Sequence, residues 1–91
     1  MKVQFVVDAK TYFEVDADRL DRAKADDIVY VTIDFDRRRA DFVWCGAEDN
    51  PANFPAEDDD FDAVVALWNR LGRPVDGGDG HVIGVKRFQV L

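Results

Sequence analysis

IVYVTIDFD, residues 28–36, is the stretch on which the fold turns. Val29, Val31, Ile33 and Phe35 alternate with Tyr30, Thr32 and Asp34, the period-two pattern of a strand with two unlike faces. Beyond Arg37, Arg38 and Arg39, the segment ADFVWC at 40–45 offers it a hairpin partner. Pairing Asp36 with Arg39 sets Ile33 opposite Phe42 and Val31 opposite Trp44. It also sets Asp34 opposite Asp41, a mildly unfavourable pair that the arginines relieve. The reverse face then holds Tyr30, Thr32, Val43 and Cys45. It is too apolar to be plainly solvated, so this chain or a partner covers it.

On the N-terminal side, VQFVV and TYFEV read as a second hairpin around Asp8, Ala9 and Lys10. That odd loop sets Phe5 opposite Phe13 and Val3 opposite Val15, which keeps the apolar side chains on one face. If the segment is instead a single strand, a ferredoxin-like arrangement follows. DADRLDRAKADD, residues 16–27, has capping aspartates but only Leu20 as a large apolar residue, so it is a short helix or a polar loop. On the C-terminal side, GAEDNPANFP at 46–55 is loop by its Gly and Pro signals. Phe61, Val64, Val65, Trp68 and Leu71 then form one helical stripe, and the spacing predicts a helix over 58–72. Gly72 is its stop, with Arg70 and Arg73 at the negative end. HVIGVKRFQVL reads as a final strand with a bulge near Lys86 and Arg87. The expected fold is α+β: an antiparallel sheet of four to five strands, two hairpins plus a C-terminal strand, with one main amphipathic helix on one face and room for a second short helix.

The 91 residues suit one domain, 1–91, with 47% apolar content enough for a core. Cys45 is the only cysteine, which excludes an internal disulfide and a cysteine zinc site and suits a reduced, cytoplasmic setting. The first residues, MKVQFVVDAK, lack the pattern of a signal peptide, and no run is apolar enough for a membrane span.

The charge is uneven. The chain carries −7 overall, and residues 46–62 alone hold seven acids and no base. AEDDDFD at 56–62 packs five acids into seven positions. Part of this is helix capping by Asp58 or Asp59 and dipole complementarity. That explanation does not require Glu48, Asp49, Glu57 and Asp62 as well. A calcium loop starting at Asp58 fails, because Ala63 and Asn69 fall where Gly and Glu are needed. No metal site or cofactor is therefore expected. His81 is the only histidine and the chain contains no serine, so no nucleophilic triad is supported and no enzyme is expected. Arg37 to Arg39 read as a solvated turn, and the negative balance disfavours direct binding of nucleic acid.

Such focused charge suits a small non-enzymatic protein-binding module, an inhibitor that meets a basic, nucleic-acid-handling protein as anti-restriction, anti-CRISPR or nuclease-inhibitor proteins do. Its expected contact residues are Glu48, Asp49, Phe54, Glu57, Asp58, Asp59, Asp60 and Asp62, with Phe54 as an apolar anchor. A structural or assembly subunit, a homodimer included, that pairs through a sheet face or edge strand is the alternative.

Overall fold

The fold comes from a computed structural model that describes residues 1–74 and the strand pair 82–83. The elements run β1 (Lys2–Asp8), α1 (Ala9–Tyr12), α2 (Ala17–Arg22), β2 (Asp27–Asp34), β3 (Arg39–Gly46), a 3-10 turn (Pro51–Asn53), β4 (Glu57–Asp59), α3 (Phe61–Arg70) and β5 (Val82–Ile83). The sheet order is β4-β3-β2-β1-β5. β1 to β4 pair antiparallel, and β5 lies parallel to β1. The fold is therefore α+β as expected, with α3 over β2 and β3 and α1 over β1 and β2. The rest of the expected final strand, its bulge at Lys86 and Arg87, and His81 lie outside the described residues. No described helix is long and apolar enough to cross a membrane.

β2 behaves as its alternation requires. Val29, Val31 and Ile33 are fully buried on the helix side, with Phe5 and Val7 from β1 and Phe42 from β3. On the reverse face Val6, Ile28 and Cys45 are buried, with Tyr30 and Ala47 packed against them, while Tyr30, Thr32 and Val43 stay half-buried.

The first hairpin is not formed. β1 pairs with β2 along its whole length, from Lys2↔Asp34 to Asp8↔Ile28, so the partner assigned to TYFEV is already supplied. Residues 9–12 instead make one helical turn. Ala9, Tyr12 and Phe13 stand at i, i+3 and i+4, and all three are buried. Phe13 packs on Phe42 at 5.6 Å and on Trp44 at 4.7 Å. Val15, expected opposite Val3, is 87% exposed. Asp16 caps α2 by accepting the Arg19 amide at 3.2 Å.

The central hairpin forms two residues out of the expected register. Asp34 pairs with Arg39, Ile33 with Ala40, Val31 with Phe42 and Val29 with Trp44, while Asp41 faces Thr32 rather than Asp34. A slip of two preserves which face each side chain takes. Its cause is Asp34. One carboxylate oxygen accepts the Asp36 and Arg37 amides, both at 3.1 Å, and the other meets the Arg37 guanidinium at 3.0 Å. The turn therefore spans 35–38, with Arg38 at φ 54°, and Phe35 swings onto Phe61 and Trp68.

α3 begins at Phe61 instead of 58, because 57–59 form β4 against Ala40–Phe42. It ends as expected. Gly72, at φ 89°, donates to the Asn69 carbonyl, and the Arg73 amide reaches the Trp68 carbonyl at 2.9 Å. Only a residue free to take that φ closes both bonds without strain.

The Arg37 amide, then its guanidinium, hold the Asp34 carboxyl below its ordinary value. A carboxyl lowered by folding stabilises fully above its unfolded value, about 3.9, and loses that contribution as pH falls through the folded value. Asp34→Asn keeps the amide acceptor and removes the charge. Urea melts should show the variant less stable at pH 7, with the gap shrinking below about pH 4. A gap independent of pH would show that the charge plays no part.

Candidate functional site: the outer border of the sheet

After Gly46 the chain turns back along β3 and forms the sheet border on that side. Asp49 shapes the turn, its carboxylate accepting the Gly46 amide at 2.8 Å. A Cβ on Gly46 would meet the same oxygen at 2.8 Å, so a larger residue there would require the Asp49 side chain to shift. Asn50 then caps the 3-10 turn by accepting the Ala52 amide at 3.0 Å. Phe54 follows, 38% exposed, and β4 rejoins β3 at Phe42. Glu48 and Asp49 thus lie beyond one end of β3, and residues 57–62 lie near the other, about 20 Å away at strand rise.

β4 also splits its acids between the two faces of the sheet. Glu57 and Asp59 pair with Phe42 and Ala40 and share the helix side with them. There Glu57 meets the Arg19 guanidinium at 4.0 Å, and Asp59 accepts the Tyr12 hydroxyl at 2.7 Å. Asp58 lies on the reverse side, opposite Asp41, and meets Arg39 at 3.6 Å. Asp60 is the helix cap, accepting the Asp62 and Ala63 amides at 2.9 and 3.3 Å. The cap is therefore Asp60 and not Asp58 or Asp59. Asp62 sits in the first turn of α3 and pairs with Arg38 at 3.2 Å, while that guanidinium lies 4.8 Å from the centre of the Phe61 ring. Of the eight expected contact residues, all but Phe54 and Glu48 hold a side-chain hydrogen bond or ion pair among the described residues.

Tyr12, Arg19, Arg38 and Arg39 were missing from the expected site. Burial, then the bond to Asp59, raises the Tyr12 hydroxyl well above its ordinary value of 10. It therefore stays a proton donor through neutral pH. Arg19 is held over Phe13 and Phe42, 5.6 and 5.4 Å from their ring centres. Adjacent arginines at 38 and 39 were legible as a cluster, but their service to Asp62 and Asp58 depends on the hairpin register.

Chemically the border is ionic and unequal. Residues 46–62 bring seven acids, and among the described residues three arginines from outside that segment pair with them, which leaves an excess of four negative charges there. These pairs are exposed, and such pairs contribute only about 0–1 kcal/mol each. Glu48 makes no ion pair among the described residues. Among the described residues no three His, Cys, Asp or Glu side chains converge as a metal ligand set. Burial raises the Cys45 thiol. Comparison with protein-family models, with curated proteins and with solved structures gives no match.

Two substitutions test the structural tasks of these acids. Tyr12→Phe leaves Asp59 without its buried donor and should cost about 1–2 kcal/mol in denaturant melts. Asp60→Ala removes the cap of α3 and should cost about 1 kcal/mol. Wild-type stability in both would mean that neither bond supports the fold.

Proposed function

We propose that this chain is a small non-enzymatic protein-binding module that presents its acidic border to a basic protein. The observation that carries the reading is the border itself. Glu48, Asp49, Phe54, Glu57 and Asp58 are all exposed along one side of the sheet, with acids outnumbering the arginines beside them. Because the internal pairs are exposed and weak, a partner's lysines and arginines can compete for the same carboxylates. Phe54, between the two acidic groups, supplies the apolar contact that charge alone lacks. The partner surface is one that otherwise holds nucleic acid, so that the carboxylates occupy the place of phosphates, and the module acts as an inhibitor of that surface. A reduced, cytoplasmic setting goes with this reading.

The alternative, assembly through a sheet face or edge, has less support. Val6, Ile28 and Cys45 are already buried on the reverse face, and two β4 edges set together would oppose their carboxylates.

Capture from host lysate provides the test. The wild-type chain should retain a basic, nucleic-acid-handling protein at low salt and release it as salt rises. The triple variant Glu48→Lys, Phe54→Ser, Asp58→Lys avoids the cap and the Tyr12 contact. It should keep the wild-type melting temperature and lose the captured protein. Undiminished capture by this variant would overturn the reading.

A further inference from the structure

Between the turn after α1 and helix α3 lies a cavity of about 200 Å3. Buried Phe13, Val64 and Leu67 form its apolar floor, and Tyr12 backs it. Val15 stands at its lip, 87% exposed, an aliphatic side chain left in water beside an apolar hollow. The remaining wall carries Asp16, Asp59, Arg19 and Arg70, of which Arg70 is already ion-paired with Glu14. Arg19 has spare donors. Its guanidinium carries five N–H groups, and its ionic contacts are long, 3.5 Å to Asp16 and 4.0 Å to Glu57. Asp59 also has capacity, since a carboxylate offers about four acceptor sites and this one accepts from Tyr12 and the Asp60 amide.

We propose that this cavity binds a free apolar α-amino acid of the size of leucine or phenylalanine. A carboxylate alone would face Asp16 and Asp59, and an amine alone would face Arg19, while Arg70 is held by Glu14. A zwitterion meets both signs at once. The planar fork of Arg19 takes the ligand carboxylate, Asp59 takes the ammonium, and the apolar side chain lies over Phe13, Val64 and Leu67 beneath Val15. The cavity is smaller than the roughly 300–1,000 Å3 of sites for drug-sized ligands, which suits a ligand of this size. The proposal does not depend on the protein-binding role of the border.

Thermal melting and amide NMR titration of the full chain provide the test, with L-leucine, L-phenylalanine, glycine and N-acetyl-leucine amide as probes. Leucine and phenylalanine at millimolar concentration should raise the melting temperature and shift the Phe13, Arg19 and Val64 amides. Glycine, which lacks the apolar group, and the capped leucine, which lacks both charges, should do neither. Arg19→Gln should weaken leucine binding about tenfold or more. Ala63→Leu adds bulk from an exposed position lining the cavity, and should abolish the response with the fold intact. No response to leucine or phenylalanine, an equal response to glycine, or full response in Ala63→Leu would overturn the proposal. If Ala63→Leu fails to fold, unchanged leucine affinity in Arg19→Gln overturns it instead.

Discussion

Everything in this fold depends on β2 being paired on both sides. β1 binds it from Lys2↔Asp34 to Asp8↔Ile28, and β3 binds it from Asp27↔Gly46 to Asp34↔Arg39. Each β2 side chain then has fixed neighbours left and right, and one alternation, Val29-Val31-Ile33, sets the faces of three strands together. The helix side becomes a continuous apolar floor. α1 and α3 need contribute only a few large side chains each to close it: Tyr12 and Phe13 from the first helical turn and the residue after it, Val64 and Leu67 from α3. A four-residue helix such as α1 has no stability of its own in water. It persists because Phe13 is held against Phe42 and Trp44.

This explains which parts of the fold were legible. β2 and β3 carry their periodicity over eight residues each, and α3 carries its stripe and its glycine stop. Those signals are local. The segment Thr11–Val15 is ambiguous by the same standard. Phe13 and Val15 match a strand opposite Phe5 and Val3, while Ala9, Tyr12 and Phe13 match a single helical turn. The choice is made by β2, which competes for the same edge of β1 and offers seven paired residues. The hairpin register failed for a different reason. Apolar pairing tolerates a slip of two, so the decision passes to the turn, where Asp34 gathers two amides and a guanidinium.

The acidic run was legible as charge and not as geometry. Read as one patch, AEDDDFD is explained only in part, by helix capping and the helix dipole. In the fold each acid has its own neighbours. Glu57 and Asp59 face the helices, Asp58 faces the other side, Asp60 caps α3, and Asp62 meets the arginine turn. Within the run itself only two amides serve as partners, that of Asp60 to Asp59 and that of Asp62 to Asp60. A second physical reason for the acids follows from the sheet order. β4 is an edge strand, three residues long and charged at every position, which are two of the ways a sheet avoids pairing with other chains. The same carboxylates therefore protect the edge and supply the excess charge of the border.

Those two tasks limit how the border can meet a partner. The ion pairs to Arg19, Arg38 and Arg39 span 3.2 to 4.0 Å, well inside the screening length of about 8 Å at physiological salt. At about 0–1 kcal/mol each they open readily, and the field of the acids without an ion pair among the described residues fades over roughly that distance. Under the proposed protein-binding role, the border would attract a basic surface only at close range, and the encounter would become a lasting contact only where something apolar is also buried. Phe54 is the exposed aromatic on this border, set between Glu48 and Asp49 on one side and Glu57 and Asp58 on the other. Pro55 follows it directly and favours the extended backbone that Phe54 adopts, φ −122° and ψ 146°. Under that proposal the acids would decide which surfaces approach, and Phe54 would decide which of them remain.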